Sequence, residues 1–278
     1  MRFVENYYDG SFEQIIHKNV KKIFEKKTKF QNVQILEFEK YGRALVLDGE
    51  IQSAVNDEFI YHESLVHPAM CCHSNPRRIL ILGGGEGATL REVLKYGFVT
   101  EAVMVDIDGE LVDICREYLT QMNNGSFESD KADLIIDDAM RFLQEAKYFS
   151  DVIIADLSNP VSSAPARKAW SEDFFALAAA HLHNDGIFVT QAQALSELEC
   201  SSHLFYRKMI AKYFFYVYSY RIFVPSYHQA IGFIFATNDK RNNPLSVKRT
   251  MEFKYYSQKI HSNLFSLSPF LKAELGQN

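Results

Sequence analysis

Apolar positions recur along the chain with two different periods. Over residues 31–60, Val33, Ile35 and Phe38 roughly alternate with polar neighbours, the period of a half-buried strand. Tyr41-Gly42 marks a turn, residues 43–47 form a second strand, and Asp48-Gly49 is a hairpin signal ahead of a third strand at 51–55. These predict a small antiparallel β-domain. Residues 1–30 are mixed and charged, and the apolar-basic alternation of 20–27 reads as the exposed face of a strand or helix, solvated rather than bound to nucleic acid. Residues 57–67 have helical spacing and an acidic first turn.

From residue 79 the pattern changes. Short apolar runs at 79–82, 102–105, 133–136, 151–155 and 186–191 alternate with helical patterns such as 110–116 and 207–210. Alternating β and α over this length predicts a parallel, doubly wound sheet. Two aromatic-rich strands, 216–224 and 231–236, close the series. The link Pro225-Ser226-Tyr227-His228-Gln229-Ala230 is too short for a crossover helix, so this pair is antiparallel. The layout resembles an α/β class I methyltransferase-like (Rossmann-like) doubly wound sheet. It divides the chain into a β-domain at 1–60 and a Rossmann-like domain at 61–278.

Composition narrows the function. A chain of 278 residues with 47% hydrophobic content can fill a full core. A net charge of −5 argues against a broad nucleic-acid surface. No apolar run reaches the ~20 residues needed to span a bilayer, and Met1-Arg2-Phe3-Val4-Glu5 lacks a signal peptide's apolar core. Cys71, Cys72, Cys115 and Cys200 form no CxxC pair. Reduced thiols in a cytoplasmic compartment are the simple expectation.

The candidate chemistry lies at the strand ends. Ile79-Leu80-Ile81-Leu82 runs into Gly83-Gly84-Gly85-Glu86-Gly87, and Thr89 begins a helical pattern. Strand, glycine loop and helix start form a nucleotide cradle. The next strands end in Asp106-Ile107-Asp108, Asp137-Asp138 and Asp156-Leu157-Ser158-Asn159-Pro160. Ligands of a doubly wound sheet bind beyond these carboxyl ends. Asp106, about 20 residues past the glycines, suits a ribose diol, although it or Asp108 could cap a helix. Asp138 suits an adenine amino group or a helix cap. Glu86 would repel a pyrophosphate, which disfavours an ordinary dinucleotide, and would welcome a sulfonium nucleoside with an ammonium tail. Asp156, ending a buried strand, is either a cap or a base at the ligand's reactive end.

With these residues in place, the chain resembles the polyamine aminopropyltransferases, the spermidine synthase family. The resemblance runs through Phe30-Gln31, Leu47-Asp48-Gly49 with Gln52, Asp57-Glu58-Phe59, Tyr61-His62-Glu63, the glycine loop, Asp106, Asp138, Asp156, Pro225-Ser226-Tyr227 and Tyr255 to His261. Residues 61–69, the Glu86 form of the loop, 152–157 and 187–192 are most similar to thermospermine synthases, whereas 255–261 resembles bacterial-type spermidine synthases.

The resemblance implies aminopropyl transfer from decarboxylated S-adenosylmethionine, a co-substrate, to a polyamine, with methylthioadenosine released. Spermidine converted to thermospermine is favoured, and putrescine is the alternative acceptor. It implies no cofactor and no metal, because the sulfonium leaves as a neutral thioether. By position, Gln31, Gln52, Gly83, Gly85, Glu86, Asp106 and Asp138 would hold the donor. His62, Asn159, Gln191, Gln193 and Tyr227 would meet the acceptor, and Asp156, Tyr61 and Tyr227 would be catalytic. A homodimer or higher homo-oligomer, with no nucleic-acid or membrane partner, is implied too. Two positions depart from the family: Asn159 and Gln193 stand where acids usually hold amines, and Val161-Ser162-Ser163-Ala164-Pro165, the implied mobile loop, lacks the usual Gly-Pro. The rival readings are a methyltransferase on the same fold and a non-catalytic polyamine or nucleoside binder.

Overall fold

The computed structural model describes residues 1–7, 13–158 and 170–277. The charged N-terminus is a hairpin of β1 (Phe3–Tyr7) and β2 (Glu13–His17). A four-stranded antiparallel sheet follows, with β3 (Lys21–Lys27), β4 (Asn32–Phe38), β5 (Gly42–Leu47) and β6 (Glu50–Ala54) in sequential order. The mixed 20–27 segment is thus a strand, and its Lys side chains are exposed as the edge of the sheet. Asp48 and Gly49 both take positive φ, +50° and +90°, the geometry of a primed hairpin turn.

Helix α1 (Glu58–Cys72) is buried on nearly every side, so no amphipathic stripe marks it. It extends past the expected end at 67 and contains Pro68. A proline withholds the amide that would bond the carbonyl four residues back. Here the Tyr220 hydroxyl donates to that Ser64 carbonyl at 2.8 Å, so the helix continues. Since α1 begins at Glu58, it crosses the expected domain boundary at 60.

The second sheet has β7 (Arg78–Gly83), β8 (Glu101–Asp106), β9 (Ala132–Ile136), β10 (Ser150–Asp156), β11 (Leu182–Ala194), β12 (Tyr216–Val224) and β13 (Gln229–Thr237). Their spatial order is β12-β13-β11-β10-β7-β8-β9. Strands β7 to β11 run parallel, and β13 is antiparallel to both β11 and β12. The helices among them are α2 (Ala88–Leu94), α3 (Gly109–Tyr118), α4 (Thr120–Asn123), α5 (Ala139–Glu145), α6 (Glu172–Ala180) and α7 (Ser201–Ile210). At the C-terminus, α8 (Gln258–Leu264) and α9 (Pro269–Leu275) complete the domain. Strand β11 is twice the expected length, with a break in register between Gln191 and Ala194 where Gln193 takes φ +67°. One apolar cluster packs α1 against one sheet face, and a second joins α6 to the other. Strand order reverses between β7 and β10, the switch point where a doubly wound sheet opens a crevice.

Candidate active site

A cavity of about 370 Å³ opens at that switch point. Its floor is the glycine loop between β7 and α2. Gly83 has φ +87°, and a Cβ there would run into the Asp156 carbonyl oxygen. Gly84 has φ +80° and would bring a Cβ within 3.2 Å of Asp156 Oδ2. The Gly84 amide donates to the Asp156 carbonyl at 3.0 Å. The glycines therefore let β7 and β10 close around one carboxylate.

Among the described residues Asp156 caps no helix. The Tyr61 hydroxyl donates to its Oδ1 at 2.9 Å and the Thr89 hydroxyl to its Oδ2 at 2.6 Å. Burial pushes its carboxyl above the usual aspartate range, and the nearby Glu86 charge pushes further. His62 and the two hydroxyl donors oppose that rise. Burial and the Asp156 charge drive the Tyr61 phenol well up, so it stays a donor. Tyr227 reaches the cavity, but its hydroxyl donates to the Gln52 carbonyl. The two tyrosine rings meet edge to face with centroids 6.0 Å apart.

Asp106 is buried and raised to about 7 by desolvation, with the Asp108, Glu86 and Asp156 charges adding to the rise. Its Oδ1 accepts the Asp108 amide at 2.9 Å. Asp108 is the helix cap here, accepting from the Leu111 amide at 3.1 Å. Its other oxygen takes the Thr28 hydroxyl at 2.6 Å and Gln31 Nε2 at 3.1 Å, tying the N-terminal sheet to the site. Asp138 caps α5 through the Met140 amide at 2.8 Å and also lines the cavity, so both readings of it hold geometrically.

The cavity brings together Gln31, Gln52, Tyr61, Gly83, Gly85, Glu86, Asp106, Asp138, Asp156, Gln191, Gln193 and Tyr227. His62 does not line it. The ring is enclosed, with Nδ1 2.7 Å from Glu58 Oε2 and Nε2 2.8 Å from Glu86 Oε1. The expected direct contact of His62 with the acceptor is therefore corrected: the ring sits behind the wall and touches Glu86. Burial alone would lower the His62 pKa, but the two carboxylates outweigh it and lift it to about 10. Asn159 and the 161–165 loop lie outside the described residues.

Three lining carboxylates escaped the sequence reading: Glu5 from β1, Glu50 from β6 and Glu199 from the loop before α7. Glu5 and Glu199 sit in no periodic or glycine-marked context, and Glu50 follows the Asp48-Gly49 hairpin, which marks a turn rather than a site, so only folding reveals them. Glu5 accepts the Ile51 amide at 2.8 Å, and burial raises the Glu50 carboxyl. Together with Glu86, Asp106, Asp138 and Asp156 they make seven acids, and no Lys, Arg or His lines the cavity among the described residues. Such a space suits a multiply charged cation. Donor atoms of His62, Glu86 and Asp156 also lie within 4.8 Å of one another.

The family model described as spermine/spermidine synthase domain matches residues 58–247, and the spermidine synthase tetramerisation domain matches 13–54. A polyamine aminopropyltransferase of Aeropyrum pernix is 44% identical over 219 residues, 78% of this chain and 69% of that one. Polyamine aminopropyltransferase 1 of Hyperthermus butylicus is 41% identical over 256 residues, covering 88% and 87%. The crystal structure of a spermidine synthase with the transition-state analogue AdoDATO superposes with a TM-score of 0.91 at 31% identity, covering 99% of this chain and 95% of that one. Spermidine synthase from Thermotoga maritima gives 0.88 at 31% identity, covering 99% and 94%. Similarity of this extent in both sequence and fold means that the chain belongs to the spermine/spermidine synthase family and is a polyamine aminopropyltransferase.

Proposed function

We propose that the protein transfers the aminopropyl group of decarboxylated S-adenosylmethionine to spermidine, giving thermospermine and methylthioadenosine. The observation that carries this is the cavity with seven acids and no basic side chain among the described residues. The donor brings a sulfonium and an ammonium, and the acceptor brings two or three further cations. In this reading Gln31, Gln52, Gly83, Gly85, Asp106 and Asp138 hold the nucleoside, and Glu86 receives the donor's terminal ammonium.

An acceptor amine has a pKa near ~10 and enters protonated. Asp156 takes that proton, helped by burial that raises its basicity toward the working range. Tyr61 fixes the carboxylate through its 2.9 Å hydrogen bond. The freed lone pair attacks the carbon next to sulfur as the carbon–sulfur bond breaks, and the sulfonium becomes a neutral thioether. Tyr227, Gln191 and Gln193 line the acceptor side.

Spermidine is favoured because its reacting amine leaves two more cations, and Glu5, Glu50 and Glu199 line the same cavity as Asp156. A diamine would leave one. Putrescine as acceptor is the second reading, supported by the spermidine synthases among the structural neighbours. The matched tetramerisation domain supports a homo-oligomer. Free, mostly buried cysteines fit a reducing, cytoplasmic setting.

The test offers decarboxylated donor with putrescine and with spermidine in turn and resolves the products by chromatography. Thermospermine with equimolar methylthioadenosine is the expected outcome. Spermidine formed from putrescine as the main product would favour the second reading. Nucleoside binding without any product would sink the enzymatic reading.

A further inference from the structure

Behind the cavity wall, five charged side chains alternate in sign along one line, whose far member Glu92 pairs further with His67 at 3.0 Å and Lys95 at 2.7 Å. Glu86 Oε1 meets His62 Nε2 at 2.8 Å, and His62 Nδ1 meets Glu58 Oε2 at 2.7 Å. Arg91 then grips Glu58 with both terminal nitrogens, at 2.9 and 3.0 Å. Its Nη2 lies 2.8 Å from Glu92 Oε1, and Nη1 also donates to the Met122 carbonyl at 2.6 Å. Only Glu86 of the five lines the cavity.

Burying so many charges costs stability that an apolar packing of similar volume would not. The line therefore calls for a reason beyond folding, and its open end is that reason: it stops at the one member a ligand can touch. The links come from α1 and α2, two helices held by the core rather than by loops. Groups mounted on such elements hold a geometry better than groups on a free loop.

We propose that Arg91 is a positioning residue for the transfer: acting through Glu58 and His62, it holds the Glu86 carboxylate in the orientation that receives the donor's terminal ammonium. This rests on the role given to Glu86 above. Without the guanidinium, Glu58 is free to take the Nδ1 proton, and a neutral His62 no longer balances Glu86. The consequence reaches the base. Glu86 faces His62, Tyr61, Asp106, Cys115, Asp156 and Tyr227, while Asp156 faces Tyr61, Thr89, Glu86, His62, Asp106 and Tyr227. Loss of the His62 charge removes an influence that lowers the Asp156 pKa, so the acid limb of the rate profile moves to higher pH.

The experiment compares wild type, Arg91→Met, Arg91→Lys and Glu58→Gln with the decarboxylated donor and the best acceptor. Methylthioadenosine, which lacks the aminopropyl arm, reports the nucleoside pocket by calorimetric titration. Arg91→Met is expected to raise the donor KM about tenfold or more, the size of one charge-assisted hydrogen bond. Its methylthioadenosine affinity stays near wild type, Arg91→Lys recovers part of the loss, and both Arg91→Met and Glu58→Gln move the acid limb upward. Glu58→Gln keeps the size but removes the charge and, because an amide nitrogen cannot accept, one of the two bonds from Arg91, so it breaks the same line and serves if Arg91→Met does not fold. Wild-type donor KM and an unmoved acid limb in Glu58→Gln overturn the proposal. A wild-type protein that makes no product overturns the underlying reading instead.

Discussion

Asp156 is held by two hydroxyl donors in a site that raises its basicity, a combination that orients a carboxylate while leaving it able to take a proton. Replacing it with Asn keeps the shape and removes the base. Asp156→Asn is expected to lower turnover at least ~100-fold, the lower bound of general-base help, while methylthioadenosine still binds. Turnover within a few-fold of wild type rules out Asp156 as the base. His62 makes a second prediction through stability. Its pKa rises from 6.5 to about 10 on folding, so the folded state holds that proton more tightly. The stabilisation is complete below pH 6.5 and is lost as pH rises toward 10. In melting temperatures taken at pH 6, 8 and 10, wild type declines toward His62→Gln as pH rises. Two parallel curves contradict it. Gln193 gives no such handle: its Nε2 is buried without a partner among the described residues, in a residue at positive φ on the cavity wall.

Among the elements, α1 does the most positioning, because it presents Tyr61 to the cavity and His62 to Glu86 in successive residues. Adjacent helical residues diverge by about 100° of arc, so a helix can serve both only if it is buried on both sides. That explains why its sequence shows no amphipathic stripe, and why Pro68 is tolerated deep inside it. The Tyr220 hydroxyl on β12 satisfies the Ser64 carbonyl that Pro68 leaves open. Tyr220→Phe is expected to cost about 1–3 kcal/mol, the penalty of an unpaired buried acceptor. In a Pro68→Ala background the helix supplies its own amide and the cost shrinks, which urea unfolding of the four proteins measures as a coupling. Equal costs in both backgrounds contradict this account. A further tie binds the same helix start: Asp57 accepts the Ser226 amide at 2.7 Å and its hydroxyl at 2.9 Å, next to Tyr227.

Across the whole molecule the charge is uneven. The chain carries −5 in all, yet seven acids converge on one cavity without a lining base among the described residues. Such focusing draws cations in and weakens as salt screens it, the Debye length falling from ~30 Å at 0.01 M to ~10 Å at 0.1 M. The acceptor KM is therefore expected to rise with added sodium chloride, more for spermidine than for putrescine, with little change in kcat. A KM indifferent to salt contradicts the electrostatic reading. No helix of the described residues is long and apolar enough to cross a membrane.

The sequence by itself determined the β/α alternation, the order of the strands' chemistry and the Asp48-Gly49 hairpin, since all three follow from local periodicity and backbone permissiveness. It also placed Glu86, Asp106, Asp138 and Asp156 at strand ends, where a doubly wound sheet must open. Only the tertiary structure decided which oxygen meets which donor. It put His62 behind Glu86 rather than in the cavity, gave the cap of α3 to Asp108, and gave Asp156 the hydroxyls of Tyr61 and Thr89. It alone delivered Glu5, Glu50 and Glu199, which come from three separate elements. Convergence of that kind depends on side-chain directions and long-range packing, and no local pattern in a chain encodes it.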